Sequence, residues 1–306
     1  FLLSSHNIFS YSPQVLLTLL FPIAAVTIKN LLTSIFHVKE NFLATSSIEV
    51  VSSIILTVTI FLFRDTGITN SFVFISLSIA TGISILIIAL FNIKQIKFKF
   101  HPDFKVAKQI LVYSFPVGAQ LLVFNIYNRI DTYMLQLFHG ENSVAYYGLS
   151  YKIYENTLML AAFTMTSLYP VLARSKHTTR SITTKILIVL ISISLLGSFS
   201  LIILSDLIIQ LINPEYLQAA AFIRILALAI PFAYINHVTG FTLTAINKQK
   251  AFLYFAIIAL IVNLTANWTF IPLFGATAAA YVTVVTELSI SLTSLVYLYR
   301  VTKTSN

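Results

Sequence analysis

Cysteine is absent from this 306-residue chain, which excludes disulfides and thiolate metal sites and leaves the redox compartment unread. Charge is scarce: Asp, Glu, Lys and Arg make up 9% of the residues, where a soluble domain carries about 25%. With 58% hydrophobic residues and a mean hydropathy of +0.89, that scarcity excludes a soluble enzyme, a nucleic-acid-binding domain and a disordered tail. The short alternating segments of a membrane β-barrel are also missing. No signal peptide is expected, because no basic stretch with a short apolar core and a small-residue cleavage site precedes the first long apolar run. What the chain has instead is apolar runs of about 20 residues, the length of a spanning helix. The expected fold class is an all-α polytopic membrane protein.

Nine such segments are expected, at 14–36, 43–63, 70–91, 110–138, 142–173, 183–205, 218–246, 251–271 and 275–299. Two of them, 110–138 and 142–173, exceed the hydrocarbon thickness and should tilt, bend at Pro116, or emerge as amphipathic ends. The basic residues gather in alternate connections: Lys39, then Lys94, Lys97, Lys99, Lys105 and Lys108, then Arg174, Lys176, Arg180 and Lys185, then Lys248 and Lys250, then Arg300 and Lys303. The connections between carry Arg64 with Asp65, then Glu141, then Asp206 with Glu215, then the neutral Pro272–Gly275 turn. By the positive-inside rule the basic set is cytoplasmic, the C-terminus with it, and Phe1 begins outside. The formal charge of +9 is thus a topology signal and not a nucleic-acid footprint.

The chain also repeats itself. With Pro22 placed on Pro231, "FPIAAVTIKNLLTSIFHVKENF" lies over "IPFAYINHVTGFTLTAINKQKA" without a gap, and Lys39 falls on Lys248. One residue of slippage later, Gly67 falls on Gly275. Triplets 14–91 and 218–299 therefore share spacing and orientation, as parallel repeats about an axis along the membrane normal do. On this reading residues 1–109 are a partial N-lobe of three helices and a basic linker, and 110–306 a complete six-helix C-lobe. Three further helices would then precede Phe1, so an N-terminal truncation of a twelve-span protein is expected.

Ionisable groups at bilayer depth cost at least about 2.5–3.5 kcal/mol each on insertion scales, so they mark partners or watery cavities. Lys29, Glu49 and Arg224 sit near helix ends, where snorkelling would account for them. The hairpin 110–173 differs. Folding it about His139-Gly140-Glu141-Asn142 brings Arg129 level with Lys152, each about ten residues from the turn and roughly 15 Å along the axis. Glu155 is one turn from Lys152 on the same face, while Asp131 points to another side of its helix than Arg129. Tyr127, Tyr133, Tyr146, Tyr147, Tyr151 and Tyr154 lie around them, offering flat apolar faces with hydroxyls that suit sugar rings. The cations argue against a metal site, no Ser/His/Asp arrangement occurs, and no cofactor is expected. Two readings stay open: an anion-handling cavity with titratable carboxylates, or an ion pair such as Arg129 with Glu155 that only locks the hairpin. Glu287 stands isolated in the last span and is a further candidate for ion coupling, with Glu155 and Asp131.

Two stretches carry a family resemblance. "YSFPVGAQLLVFNIYNRIDTYMLQLFHGENSVAYYGLSYKIYE" (113–155), closed by "LYPVLARS" (168–175), combines a proline-opened helix, an aspartate before an apolar run, a Gly turn and a tyrosine-rich helix. "ILALAIPFAYINHVTGFTLTAINKQK" (225–250) is followed by "NLTANWTFIPLFGATAAAYVTVVTE" (263–287), with paired Asn263 and Asn267 and an Ile-Pro before the turn. Asn263 and Asn267, at i and i+4, read as packing glue between helices. Together these stretches resemble the O-antigen type polysaccharide flippases of the multidrug/oligosaccharidyl-lipid/polysaccharide exporter superfamily. The resemblance implies flipping of a polyprenyl-pyrophosphate-linked oligosaccharide by alternating access in the bacterial cytoplasmic membrane, with a polysaccharide polymerase or glycosyltransferases as candidate partners. It implies that Arg129 and Lys152 attract pyrophosphate or acidic sugars, that Tyr127 and Tyr151 face the glycan, and that Asp131 and Glu155 modulate cavity charge. Alternatives are a cation-coupled drug exporter of the same superfamily, against which the two midplane cations count, and a membrane glycan polymerase or ligase. The latter would carry a sizeable external loop with Arg or His, which the short connections here lack.

Overall fold

The computed structural model describes residues 13–38, 42–62, 70–92, 103–174 and 179–303. Lys39, Arg64, Asp65, Gly67, Lys94, Lys97, Lys99 and Lys176, used above for topology or the repeat, lie outside the described residues. Those described are helical nearly throughout, with no strand among them. The chain forms two compact units, Phe1–His101 and Pro102–Asn306. The second begins its first helix at Phe104, six residues ahead of the span expected from hydropathy.

Unit 1 holds α1 (Pro13–Val38), α2 (Phe42–Leu62) and α3 (Asn70–Asn92), each packed on the other two. The inward stripe of α3 is small and hydroxylic: Ser76, Ala80, Thr81 and Ser84 are at most 2% exposed. Those hydroxyls return to the helix's own carbonyls, Ser76 to Phe72, Thr81 to Leu77 and Ser84 to Ala80. Small side chains with internally satisfied hydroxyls let backbones approach closely where no water is on offer. Lys29 does not snorkel. It is buried, and its Nζ donates to Glu49 Oε2 of α2 at 2.7 Å, so the two former helix-end charges are a cross-helix pair.

Unit 2 is built from α4 (Phe104–Arg174), α5 (Thr179–Ile212), α6 (Ala219–Ala227), α7 (Ile230–Ala245) and α8 (Gln249–Lys303). Helix α4 breaks at Gly140 (φ 76°) and α8 at Gly275 (φ 57°), so each is a hairpin of two antiparallel arms. With arms counted separately and the bent α6–α7 pair counted once, the described residues form nine rods where nine spans are expected. Among them α4, α5 and α8 are long and apolar enough to cross a membrane. Their outward faces are greasy: on α5, Leu196, Phe199 and Ile203 are 60% exposed or more, while Ser194, Ser198 and Ser205 are turned inward. That inversion of a soluble helix is what a hydrocarbon solvent selects.

The expected span 218–246 is not straight. It bends by 48° between α6 and α7. Pro231 has no N–H for the carbonyl four residues back, that of Ala227. Ser198 Oγ of α5 fills the gap, donating to that oxygen at 2.6 Å. Near the same region Ser150 Oγ of α4 donates to the Ala219 carbonyl at 2.8 Å. Arg224 of α6 pairs with Asp206 of α5, so this cation too has a partner beyond snorkelling.

The two hairpin turns meet. His139 Nε2 donates to the Ile271 carbonyl at 2.7 Å, and its ring lies 3.5 Å from where a Cβ on Gly275 would stand. Phe138 packs edge-on against Trp268, ring centroids 5.7 Å apart. Side chains rarely adopt the positive φ of either break, so alanine at Gly140 or Gly275 should cost about 1–3 kcal/mol of stability. Thermal unfolding of the purified variants in detergent checks this. Gly275→Ala and Gly140→Ala are expected to lose similar amounts, because the positive φ sets the cost at both: the His139 ring is at ordinary van der Waals distance from a Cβ on Gly275, and nothing crowds Gly140.

Candidate functional site

The α4 hairpin sorts its polar residues by helical spacing. On the first arm Tyr127, Asp131, Met134 and Leu135 form the buried stripe, at i, i+4, i+7 and i+8. Arg129 is two positions off that stripe and therefore emerges, its side chain 58% exposed. On the second arm Tyr147, Ser150, Tyr151 and Tyr154 face inward with the same periodicity. Lys152 and Glu155 lie beside that stripe, 61% and 34% exposed.

Two groups of ionisable residues result. The first is open. Glu155 Oε2 accepts from Lys152 Nζ at 2.9 Å, and Glu155 Oε1 stands 3.7 Å from Arg129 Nη2 of the opposite arm. The expected meeting of Arg129, Lys152 and Glu155 is therefore real, and so is the Arg129–Glu155 pair that could lock the hairpin. Two cations against one carboxylate leave a net positive cluster. At 3.7 Å the guanidinium is beyond hydrogen-bond reach, and Lys152 spends one of three N–H groups on Glu155.

The second group is closed. Asp131 is 1% exposed; its Oδ2 accepts from Tyr147 Oη at 2.5 Å and its Oδ1 from the Thr132 N–H at 2.7 Å. The Tyr147 hydroxyl also lies 3.5 Å from Thr283 Oγ1 of α8. Glu287, read above as isolated, is not. Tyr127 Oη donates to its Oε1 at 3.0 Å, and Asn236 Nδ2 of α7 donates to its Oε2 at 2.6 Å and to its own carbonyl at 3.0 Å. No cationic side chain is within ion-pair distance of either carboxyl among the described residues. Phenol and amide donors replace the water these groups lose on burial, and such bonds are the condition for keeping a carboxyl at this depth.

Tyr127 and Tyr151, expected to present their faces to a glycan, are each 6% exposed within unit 2. Tyr151 donates to Asn128 Oδ1 at 3.1 Å, and its ring stacks obliquely between Tyr147 and Tyr154, with centroids 5.7 and 5.5 Å away. Within unit 2 Tyr151 packs in the seam of the α4 hairpin and Tyr127 packs toward α8, and neither presents an open face there. Tyr133 is exposed, and Tyr146 packs edge-on against Tyr216 away from the cluster. Asn263 and Asn267 are the packing glue expected: Asn267 Nδ2 donates to Asn263 Oδ1 at 3.0 Å, and Asn263 Nδ2 to Thr286 Oγ1 at 3.1 Å across the α8 hairpin. The partners of Glu287 were missed because Asn236 and Tyr127 are 51 and 160 residues away in sequence. Only the i, i+4, i+7 spacing of Tyr147, Tyr151 and Tyr154 hints that these rings line a seam. A separate apolar groove of about 390 Å³ runs between the arms of α8, lined by Phe270, Phe274, Tyr281 and Val285 among others; no ionisable residue of either group borders it.

The sequence pattern of a family described as polysaccharide biosynthesis protein matches residues 6–176, more than half of the chain. The pattern of the MatE family matches residues 116–269. No curated protein matches the chain. Among solved structures, a mutant of the Vibrio cholerae MATE transporter VcmN is similar over 95% of this chain and 69% of its own, at 16% identity and a TM-score of 0.81. The same transporter in a bent form aligns over 95% and 70%, with 17% identity and a TM-score of 0.76. An outward-facing multidrug resistance MATE family transporter aligns over 84% and 62%, with 13% identity and a TM-score of 0.71. At such identities the likeness shows the fold.

The closed group makes a direct prediction. Tyr147→Phe leaves one Asp131 oxygen without its donor and should cost about 1–3 kcal/mol of stability. Asp131→Asn combined with Tyr147→Phe should cost less than the sum of the singles, with a coupling of about 0.5–3 kcal/mol. Unfolding of the four proteins in mixed micelles measures that cycle; additive losses would mean the two side chains do not interact.

Proposed function

The chain belongs to the polysaccharide biosynthesis protein and MatE families of the multidrug/oligosaccharidyl-lipid/polysaccharide exporter superfamily, which are transporters and not enzymes; from that premise we propose that it moves a polyprenyl-pyrophosphate-linked oligosaccharide across a bacterial cytoplasmic membrane. The glycan polymerase or ligase alternative falls with that membership. The obstacle to such a substrate is its head: a sugar chain and a pyrophosphate that hydrocarbon does not dissolve. The protein's task is to offer a polar route that opens to each side in turn, while the polyprenyl tail stays in lipid. The basic connections set the orientation, C-terminus in the cytoplasm.

One observation supports this reading above the others. Arg129 and Lys152 are exposed on the two arms of α4, with exposed Asn125, Tyr133 and Asn156 one helical turn away from them, on helices whose outward residues are otherwise mostly apolar, and they outnumber the one carboxylate between them. Two guanidinium- and ammonium-type donors in lipid would be costly, so such a cluster belongs against water and an anion. Arg supplies a planar fork for a phosphate oxygen pair and Lys a point charge. In this mechanism the pyrophosphate or an acidic sugar is drawn to the cluster, and Asp131 and Glu287 lie behind it as candidates to carry the coupling ion.

The drug-exporter reading has its own support: Asp131 and Glu287 are buried among phenols without a cation partner, the kind of acid-and-aromatic setting that suits a cationic cargo or coupling ion. Complementation separates the two. In the full chain, Arg129→Ala and Lys152→Ala should each lower surface-glycan display by about tenfold or more, at unchanged protein level, if the cluster handles an anion. Undiminished display would remove both cations from the mechanism. Export of a cationic dye that survives both changes but is lost in Asp131→Asn would favour the exporter.

A further inference from the structure

Glu155 sits where a bound anion would sit. Its two oxygens serve two different cations from two different helical arms, Oε2 toward Lys152 and Oε1 toward Arg129. A phosphate group bridging the same pair would use two of its oxygens in the same way. The fit to Glu155 is loose on the arginine side, at 3.7 Å, so the guanidinium keeps its hydrogen-bonding capacity while being partly neutralised. Asp131 and Glu287 differ from Glu155 here: each is buried and bonded to neutral donors, and neither has an oxygen on either cation.

We propose that Glu155 is a built-in competitor for the anionic group of the substrate: it occupies the Arg129–Lys152 site when that site is empty and is displaced when a phosphate arrives. The inference rests on reading the cluster as an anion site. Its consequence is kinetic as well as thermodynamic. A tethered carboxylate within one helical turn of Lys152 acts at high effective concentration. The apparent affinity for an external anion is then reduced by the fraction of time the site is free. A carrier gains from this, because a site that holds its cargo too tightly does not release it, and a returning carboxylate speeds departure. At 34% exposure Glu155 can turn toward solvent when displaced, which a buried carboxyl could not do.

The experiment is titration of the purified full chain in nanodiscs with inorganic pyrophosphate, by calorimetry. Glu155→Gln should bind pyrophosphate roughly three- to tenfold more tightly than the unaltered protein, the size expected from freeing a partly exposed charge pair. Glu155→Asp, which keeps the charge, should stay near the unaltered affinity. Glu141→Gln, an equal charge change on the hairpin turn, should leave it unchanged. Arg129→Ala with Lys152→Ala should abolish binding whether residue 155 is Glu or Gln. Equal or weaker binding by Glu155→Gln would overturn the proposal, since a carboxylate that merely locks the hairpin loosens the site when removed. Equal tightening by Glu141→Gln would overturn it too, by reducing the effect to net charge. Should Glu155→Gln fail to fold, infrared difference spectra of the unaltered protein decide: pyrophosphate must shift a glutamate carboxylate band that Glu155→Asp moves, and an unshifted band rejects displacement. The outcomes separate from the transport reading. Tightening with glycan display undiminished in the cation variants leaves the competitor standing and takes the cluster out of transport; display lost in those variants without tightening keeps the cluster in transport and overturns the competitor.

Discussion

Hydrocarbon supplies no hydrogen bonds, and that single constraint organises this molecule. Every hydroxyl, carbonyl and carboxyl turned away from water must find its partner inside the protein. Ser76 and Thr81 of α3 and Ser194 and Ser198 of α5 find it in carbonyls of their own helices or of a neighbour. The clearest instance is Ala227, whose carbonyl loses its helical donor to Pro231 and receives one from Ser198. A bend that would otherwise expose a bare carbonyl to lipid thereby becomes a fixed joint between α6 and α7. Ser198→Ala is a change of one atom, yet it removes the group that lets the proline stay.

The same constraint divides the acids of unit 2 into two chemical kinds. Asp131 and Glu287 are inside, held by Tyr147, Tyr127 and Asn236. Glu155 is outside, held by cations. Helical geometry makes the division: the tyrosines recur at i, i+4 and i+7, so residues off that register by one or two positions emerge beside them. Hairpin closure at Gly140 then carries Arg129 across to Glu155. A turn, a stripe of rings and an offset of two residues suffice to place an exposed, charged cluster next to a buried, acidic one.

Much of this was legible in the amino acids. Runs of apolar residues located all nine rods, because bilayer thickness acts on length and composition alone. The pairing of Arg129 with Lys152 followed from counting residues back from a Gly turn, since an antiparallel hairpin has one register and a rise of about 1.5 Å per residue. What escaped was anything that depends on which helices of a bundle are neighbours. Glu287 read as isolated because its partners come from α4 and α7, and no local spacing encodes that adjacency. Lys29 and Arg224 read as snorkelling because a charge near a helix end has an easy solution in water; the pairs with Glu49 and Asp206 required knowing which helix lay alongside. The tyrosines are ambiguous in the other direction. An amphipathic ring suits both a sugar and a helix seam, and sequence distinguishes them only through the register of the stripe, which places Tyr127 and Tyr151 inward.

That burial changes how specificity can arise. If the rings do not stack on a glycan, the open part of this unit offers charge and not sugar faces, and in the transport proposed above that charge would meet the pyrophosphate whatever glycan it carries. A site reading only the common group is permissive toward the variable one. Discrimination among glycans would then fall to other surfaces, while the Arg129–Lys152–Glu155 cluster handles the step that every such substrate must undergo, carriage of the anion through the apolar layer. The tyrosine seam contributes by rigidity. Tyr147 and Tyr151 of the second arm donate to Asp131 and Asn128 of the first, which holds the two arms so that one carboxylate can face two cations, and a looser hairpin would let the cations part. On this view the closed acidic group would suit a flippase or an exporter of one fold, and the open cluster beside it is where the two would diverge.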